Sequence, residues 1–266
     1  MKDRFETEFF DLPPLRLIAH RGASGDYPEN SLPSFEAAAR AGMPYIELDV
    51  QMTSDGEIVV IHDEDLKRVA GQAGIVAAMT LLELQGYDIG SQFTRDGATF
   101  PFREKDIKVP MLLEVLETFP QIRFVIEIKQ GPLSLVPKLL KVLADTRMTK
   151  RVIVASEHQQ PLDEIRALAP RIPTNFSSRE VADFLRALVA RDLSITPLGA
   201  ALQIPPEYGA IKLATPESVA AAHRLGLEVH VWTVNEPSQM RELMAMGVDG
   251  LIGDYPTRLR EVAASI

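Results

Sequence analysis

The residues of this chain best equipped for chemistry are His20-Arg21-Gly22, Glu47-Leu48-Asp49 and His62-Asp63. Imidazole titrates near neutral pH and can give or take a proton. Carboxylates two apart on a strand can share a hard divalent cation, and an arginine beside them can hold an anion. The combination points to metal-assisted acid/base chemistry on an anionic group. Each cluster closes an apolar run, at 15–19, 44–46 and 58–61. In parallel α/β proteins the C-terminal ends of the strands carry the chemistry.

Strand side chains alternate between two faces. In 46–50, Ile46, Leu48 and Val50 share the face that packs under helices, and Glu47 and Asp49 share the other. Two like charges that close repel unless something positive sits between them, and oxygen donors favour Mg2+, Ca2+ or Mn2+ over softer metals. A salt-bridged strand end is the plainer alternative for this pair alone. Phe124 to Lys129 repeats the pattern, with Glu127 and Lys129 inward: a third ligand and a point charge for a phosphate, or an internal ion pair. In 227–233, Glu228, His230 and Trp232 share a face. Trp232, the only tryptophan, is nearest the chemical end and serves either to wall a substrate or to pack the core. His230 lies deeper and reads as barrel filling, while His158 and His223 read as surface histidines.

The elements that must position these residues alternate along the chain. Strands are expected at about 15–19, 44–50, 57–62, 123–128, 151–155, 171–176, 200–204, 227–233 and 248–252. Helices are expected at about 31–42, 111–119, 133–143, 161–168, 179–190, 216–225, 237–246 and 256–262. Repeated βα units with short loops imply a parallel sheet covered by helices. Eight or nine strands in 266 residues suit a closed (β/α)8 barrel, with an open doubly wound sheet as the rival. No linker-like stretch divides the chain, so residues 1–266 read as one domain. The segment 64–110, after the third strand, has no clear period and reads as a cap-like insertion.

A net charge of −9 argues against a nucleic-acid or anionic-membrane surface, yet a local arginine, lysine and metal can still bind an anion. With no cysteine, disulfides, thiolate metal sites and cysteine nucleophiles are excluded. Met1 to Asp11 is charged and lacks the apolar core of a secretory signal, which gives an expectation of a cytoplasmic protein. No apolar stretch reaches the roughly 18 residues a membrane span needs.

The order of these motifs resembles the glycerophosphodiester phosphodiesterase family. The matching pieces are Ile18 to Ala23 with Pro28-Glu29-Asn30-Ser31, then Ile46 to Val50, Asp55-Gly56 and Val60 to Asp63. Glu127-Ile128-Lys129, Val231 to Asn235 and Gly250 to Pro256 continue the series. The resemblance runs from about residue 15 to 258. It implies a TIM barrel with a small insertion after the third strand, and hydrolysis of glycerophosphodiesters to glycerol 3-phosphate and an alcohol with one divalent cation, Mg2+ or Ca2+, or Mn2+. It further implies that His20 and His62 are the acid/base pair, that Glu47, Asp49 and Glu127 bind the metal, that Arg21 and Lys129 contact phosphate, and that Trp232 lines the glycerol side. It places the chain in lipid and glycerol metabolism. Three positions depart from the family pattern: Ser31 for threonine, Glu157 where an aromatic often follows the serine, and Val109-Pro110-Met111-Leu112 for a tighter motif.

The expected partner is a small glycerophosphodiester, with no nucleic acid and no transmembrane segment, and the oligomeric state is left open. The nearest rival is a lysophospholipase D, for which Phe93, Phe100 and Phe102 of the insertion would wall the lipid tail. A barrel of another reaction class, such as a Schiff-base aldolase using Lys129 or a divalent-metal enolase-type enzyme, is a second. A binding protein on a decayed barrel is a third.

Overall fold

The computed structural model describes residues 4–129 and 135–265. In chain order the first elements are β1 (Arg16–His20), α1 (Leu32–Arg40), β2 (Tyr45–Met52), β3 (Ile58–Val60), α2 (Lys67–Ala70), α3 (Leu81–Leu84) and α4 (Leu112–Thr118). Next come β4 (Arg123–Ile128), α5 (Val136–Asp145), β5 (Val152–Ala155), α6 (Gln159–Leu168), α7 (Ser178–Val189) and β6 (Ala201–Ile204). The chain ends with β7 (Glu207–Tyr208), β8 (Ile211–Lys212), α8 (Pro216–Arg224), β9 (Glu228–Val231), α9 (Pro237–Met246), β10 (Gly250–Gly253) and α10 (Pro256–Ala264). The start of the helix expected at 133–143, Leu133 and Ser134, lies outside the described residues.

Parallel pairing runs β5-β4-β2-β1-β10-β9-β6. Thr174 pairs with Val154 of β5, and Asn175 pairs with Ala201 of β6, both in parallel. This short segment is the eighth stave and closes the barrel; it is the strand expected at 171–176, reduced to single bridges. β3 is different: it pairs antiparallel to β2, with Val60 opposite Val50. The insertion does follow the third strand of the chain. That strand, however, is a return arm of β2 and not a stave, so in barrel order the insertion follows the second stave.

Local signals set the helix starts. Ser31 caps α1 by accepting from Ser34 N, and Thr80, Ser177 and Thr215 form capping boxes at α3, α7 and α8. Proline occupies the first turn of α1, α5, α8, α9 and α10, where its missing N–H costs nothing. Outward strand residues such as Ile46, Leu48, Val50, Ile126 and Leu202 join the helices in one large core.

The inward residues fill the barrel in layers. Arg16, 1% exposed, lies at the floor. Its guanidinium donates from Nε and Nη2 to the two carboxylate oxygens of Glu228 at 2.7 Å each, and from Nη1 to the Tyr45 hydroxyl at 3.0 Å. Tyr45 in turn donates to Phe9 O at 2.7 Å. Phe5, Phe9 and Phe10 plug the N-terminal end beneath this layer. The N-terminal segment, charged in sequence, thus works as the barrel's floor. Above it His230 is fully buried and pairs with Gln203 and Glu228. Gly250 makes its space: a Cβ there would sit 2.8 Å from His230 Cδ2.

The insertion builds a small core of its own from Val59, Leu66, Val76, Leu84, Ile89 and Val109. Its helices are four residues each, too short to show a period in sequence. No helix among the described residues is long and apolar enough to cross a membrane.

Arg16 is expected to be essential to the floor, because removing it takes two charge-assisted hydrogen bonds from the half-buried Glu228 carboxylate and leaves it chiefly to His230. Arg16→Met is predicted to cost about 3–5 kcal/mol, seen as a lower urea midpoint at unchanged slope. A loss under 1 kcal/mol would show that the plug holds without the ion pair.

Candidate active site

The pleat places the site residues at the mouth of the barrel. His20 ends β1, Glu47 and Asp49 lie on β2, and Glu127 is on β4 with Lys129 just beyond it. Register fixes their neighbours: His20 is opposite Glu47, and Asp49 is opposite Glu127. His62 reaches the same place by another route. β2 runs past the rim, β3 returns antiparallel, and Ile61 N donates to Asp49 O at 2.9 Å. The expectation that His62 ends a stave like the others is therefore corrected: it descends to the mouth from above. Gln51 Nε2 fixes that descent by donating to the carbonyls of Ile61, His62 and Asp63.

One oxygen from each of Glu47, Asp49 and Glu127 lies within 4.8 Å of the others, the only such cluster among the described residues. Glu47 is 4% exposed and Asp49 0%. Burial, reinforced by the Asp49 charge, pushes the Glu47 carboxyl up to about 8, against the pull of His20 and Arg21. Burial also raises Glu127, with Asp49 adding to it and Lys129 opposing.

The counter-charges are arranged around this cluster. Lys129 Nζ lies 2.7 Å from Glu127 Oε1 and 3.4 Å from Asp49 Oδ1. Arg21 donates its backbone N–H to Glu47 Oε2 at 2.9 Å, and its Nε lies 3.1 Å from Asp49 Oδ2. The backbone there is left-handed at Arg21 (φ 53°) and Gly22 (φ 83°). Gly22 is required twice over, since a Cβ would also fall 2.4 Å from Ser34 Oγ. Asn30 donates from Nδ2 to Asp49 Oδ2 at 2.8 Å. Asp49 Oδ1, by contrast, is buried and accepts no hydrogen bond. An orphaned carboxylate oxygen facing two further carboxylates is a poor arrangement for protein alone and a good one for a divalent cation.

Both histidines are backed by an aspartate. His20 Nδ1 lies 2.7 Å from Asp254 Oδ1, and His62 Nδ1 lies 2.7 Å from Asp63 Oδ1. In each ring this leaves Nε2 for proton transfer, and His20 Nε2 lies 3.9 Å from Glu47 Oε2. Burial lowers the His20 pKa, but the Asp254 hydrogen bond and the Glu47 charge more than offset it and the net shift is upward. The two sides are tied together. Arg68 of the insertion donates to Asp63 Oδ2 at 2.6 Å and to both oxygens of Glu29 at 2.6 and 2.8 Å, and Glu29 accepts from Arg21 at 2.8 Å.

The mouth opens into a cavity of about 560 Å3. His20, Arg21, Glu47, His62, Glu127 and Lys129 line one side of it, and Trp232 lines it from β9's end. None of the described residues of the insertion, 64–110, lines the cavity; His62, just before it, does. Phe93 and Phe102 pack on each other, with Tyr27 against Phe102, and Phe100 lies beneath Arg103. They do not wall the site as expected.

Sequence reasoning brought the eight named residues to one place but gave no role to Asp254, Asp63, Asn30, Glu29 or Arg68. Asp254 carried a usable signal, standing just past the end of one strand as His20 stands at the end of another. Arg68 carried none, since its tie to Glu29 joins loops 39 positions apart.

A model of the glycerophosphoryl diester phosphodiesterase family matches residues 20–258. The chain belongs to that family. It is 34% identical over 251 residues to a glycerophosphodiester phosphodiesterase of Caldanaerobacter subterraneus subsp. tengcongensis, covering 91% of this chain and 95% of the relative. It is 32% identical to one from Bacillus subtilis, covering 94% and 88%. Among solved structures, a phosphodiesterase of Oleispira antarctica in complex with the product sn-glycerol-3-phosphate superposes with a TM-score of 0.77 at 26% identity, covering 94% of this chain and 97% of that one. The shared fold is the (β/α)8 barrel.

The raised Glu47 pKa has a sign that can be checked. A carboxyl protonated up to about 8 when folded but ionised above its usual 4.5 when unfolded stabilises the metal-free protein at low pH. That contribution declines as pH rises from 4.5 through 8. With EDTA present, the urea midpoint should fall across this window, and Glu47→Gln should flatten the fall. At pH 7, calorimetry in buffers of different ionisation enthalpy should show proton release when Mg2+ binds. A flat profile and no proton release would remove the assignment.

Proposed function

We propose that the chain is a metal-dependent glycerophosphodiester phosphodiesterase that yields glycerol 3-phosphate and an alcohol. The observation that carries this reading is the pair of aspartate-backed histidines around a buried three-carboxylate cluster, with Arg21 and Lys129 beside it. The family membership and the product in the Oleispira antarctica structure support it.

Glu47, Asp49 and Glu127 would hold one divalent cation, Mg2+ or Ca2+ by the hardness of the oxygen donors, with Mn2+ also suited. Bound there, it supplies Lewis-acid stabilisation of charge on phosphate. Arg21 and Lys129 add fixed positive charge where the phosphorane-like transition state is most negative. One imidazole takes the proton from the attacking oxygen, either of water, which gives glycerol 3-phosphate directly, or of the substrate's neighbouring glycerol hydroxyl, which gives a cyclic phosphate that water then opens to glycerol 3-phosphate. The new P–O bond forms as the P–O bond to the alcohol breaks, and the other imidazole gives its proton to the departing alkoxide. Asp254 and Asp63 hold the two rings in orientation and stabilise their charged forms. Trp232 walls the glycerol side. A Schiff-base aldolase is disfavoured by Lys129, which lies between two carboxylates that raise its pKa despite burial and keep it protonated.

The test is direct. The protein is incubated with glycerophosphocholine or glycerophosphoethanolamine and with Mg2+, Ca2+, Mn2+ or EDTA, and glycerol 3-phosphate is measured. Product should form with at least one metal and vanish with EDTA. His20→Ala and His62→Ala should each lower turnover about 10²–10⁴-fold. Absence of product under every metal overturns the reading, and near-normal turnover in either variant removes that histidine's role.

A further inference from the structure

The insertion meets the catalytic groups through one side chain, Arg68 of α2. Its guanidinium grips two carboxylates that serve different parts of the site. Nε donates to Asp63 Oδ2 at 2.6 Å. Nη1 and Nη2 donate to Glu29 Oε2 and Oε1 at 2.6 and 2.8 Å, a forked pairing that fixes a carboxylate in direction as well as position. Each carboxylate spends its other bond on a group of the site. Asp63 Oδ1 lies 2.7 Å from His62 Nδ1, and Glu29 Oε1 accepts from Arg21 Nη1 at 2.8 Å. An unbroken chain of bonds therefore runs from His62 through Asp63, Arg68 and Glu29 to Arg21. Arg68 itself does not line the cavity.

The charges explain why a second arginine is needed. Among the described residues, Glu29 is the one group that accepts a hydrogen bond from the Arg21 guanidinium. Arg21 Nε is buried and makes none, although Asp49 Oδ2 lies 3.1 Å away. Glu29 therefore sets the direction in which Arg21 points. A Glu29 with no other cation would also hold Arg21 with its full charge and compete with the substrate's phosphate for it. Arg68 takes both Glu29 oxygens and shares that charge. It likewise takes the Asp63 oxygen that His62 does not use, so the carboxylate cannot swing away from the ring. A lysine could not do this, because one ammonium is a point charge and lacks the planar fork.

We propose that Arg68 is a positioning residue for the reaction, setting His62 through Asp63 and Arg21 through Glu29, and that this double hold is what the insertion contributes to catalysis. The proposal rests on the phosphodiesterase reading above and deepens it. It makes the two arms separable. The Asp63 arm acts on proton transfer and so on kcat. The Glu29 arm acts on phosphate binding and so on KM.

The test is steady-state kinetics with glycerophosphocholine and the most effective of Mg2+, Ca2+ and Mn2+, with each variant's fold checked by its urea midpoint. Arg68→Ala should lower kcat/KM about 10–100-fold, the usual cost of losing an orienting partner, with kcat down and KM up. Adding Glu29→Gln to Arg68→Ala should bring KM back toward the native value and leave kcat low, since the carboxylate that now monopolises Arg21 is gone. Millimolar guanidinium chloride should restore part of the turnover of Arg68→Ala, against sodium chloride at equal ionic strength, and should leave the native chain unchanged. Arg68→Lys, which keeps the charge and serves if the alanine variant loses its fold, should hold one carboxylate and not both, so that either kcat or KM stays impaired. Native kinetics in Arg68→Ala or in Arg68→Lys overturn the proposal. So does a loss in a folded Arg68→Ala chain that neither Glu29→Gln nor guanidinium reduces, which would mark Arg68 as a support of the fold alone. Absence of product from the native chain under every metal overturns the phosphodiesterase reading and the proposal with it, and is seen before any variant is made.

Discussion

Three carboxylates crowded at the mouth of a barrel are the constraint around which the rest of the structure is arranged. Glu47 and Asp49 are nearly or wholly buried, and Glu127 faces Asp49 across the sheet. In so poorly solvated a place their mutual repulsion is severe. The fold answers with charges brought from three directions: Arg21 from the turn after β1, Lys129 from the end of β4, and His20 from the end of β1. One oxygen of Asp49 is still left without a hydrogen bond. Local stability would be better served by apolar residues here, and the cluster is one that could hold a metal ion.

The same constraint explains the long detour after β2. The second aspartate-backed histidine comes from outside the staves, whose β2 and β4 positions at the mouth hold the carboxylates and Lys129. β2 instead overshoots the rim and β3 brings His62 back onto Asp49. The insertion then anchors this arm through Arg68, whose guanidinium joins Asp63 to Glu29 and so to Arg21. Its small separate core packs behind that anchor without covering the cavity.

Much of this was legible in order of locality. The period of two within a strand placed Glu47 with Asp49, Glu127 with Lys129, and Glu228 with His230 and Trp232, because alternation depends only on the pleat. Serine and threonine caps and first-turn prolines marked the helix starts within a few residues, because capping is a contact between residues three apart. The expected strand at 171–176 survived only as the two bridges of Thr174 and Asn175, since its pairing depends on both flanking staves. The phenylalanines of the insertion read as a lipid wall because composition carries no direction. In the fold they turn toward Tyr27 and Arg103.

By itself the sequence determined the kind of chemistry, the alternating architecture and the family, since these rest on residue type and short spacings. Only the tertiary structure decided that β3 runs antiparallel and lowers His62 onto the site, and that Arg16, Tyr45 and three phenylalanines close the floor. It alone set Asp254 behind His20 and Arg68 between Asp63 and Glu29. Apart from Arg68 with Asp63, these are contacts between residues tens to hundreds of positions apart. They exist because barrel closure brings all the staves to one mouth, a condition on the whole chain that no local pattern encodes.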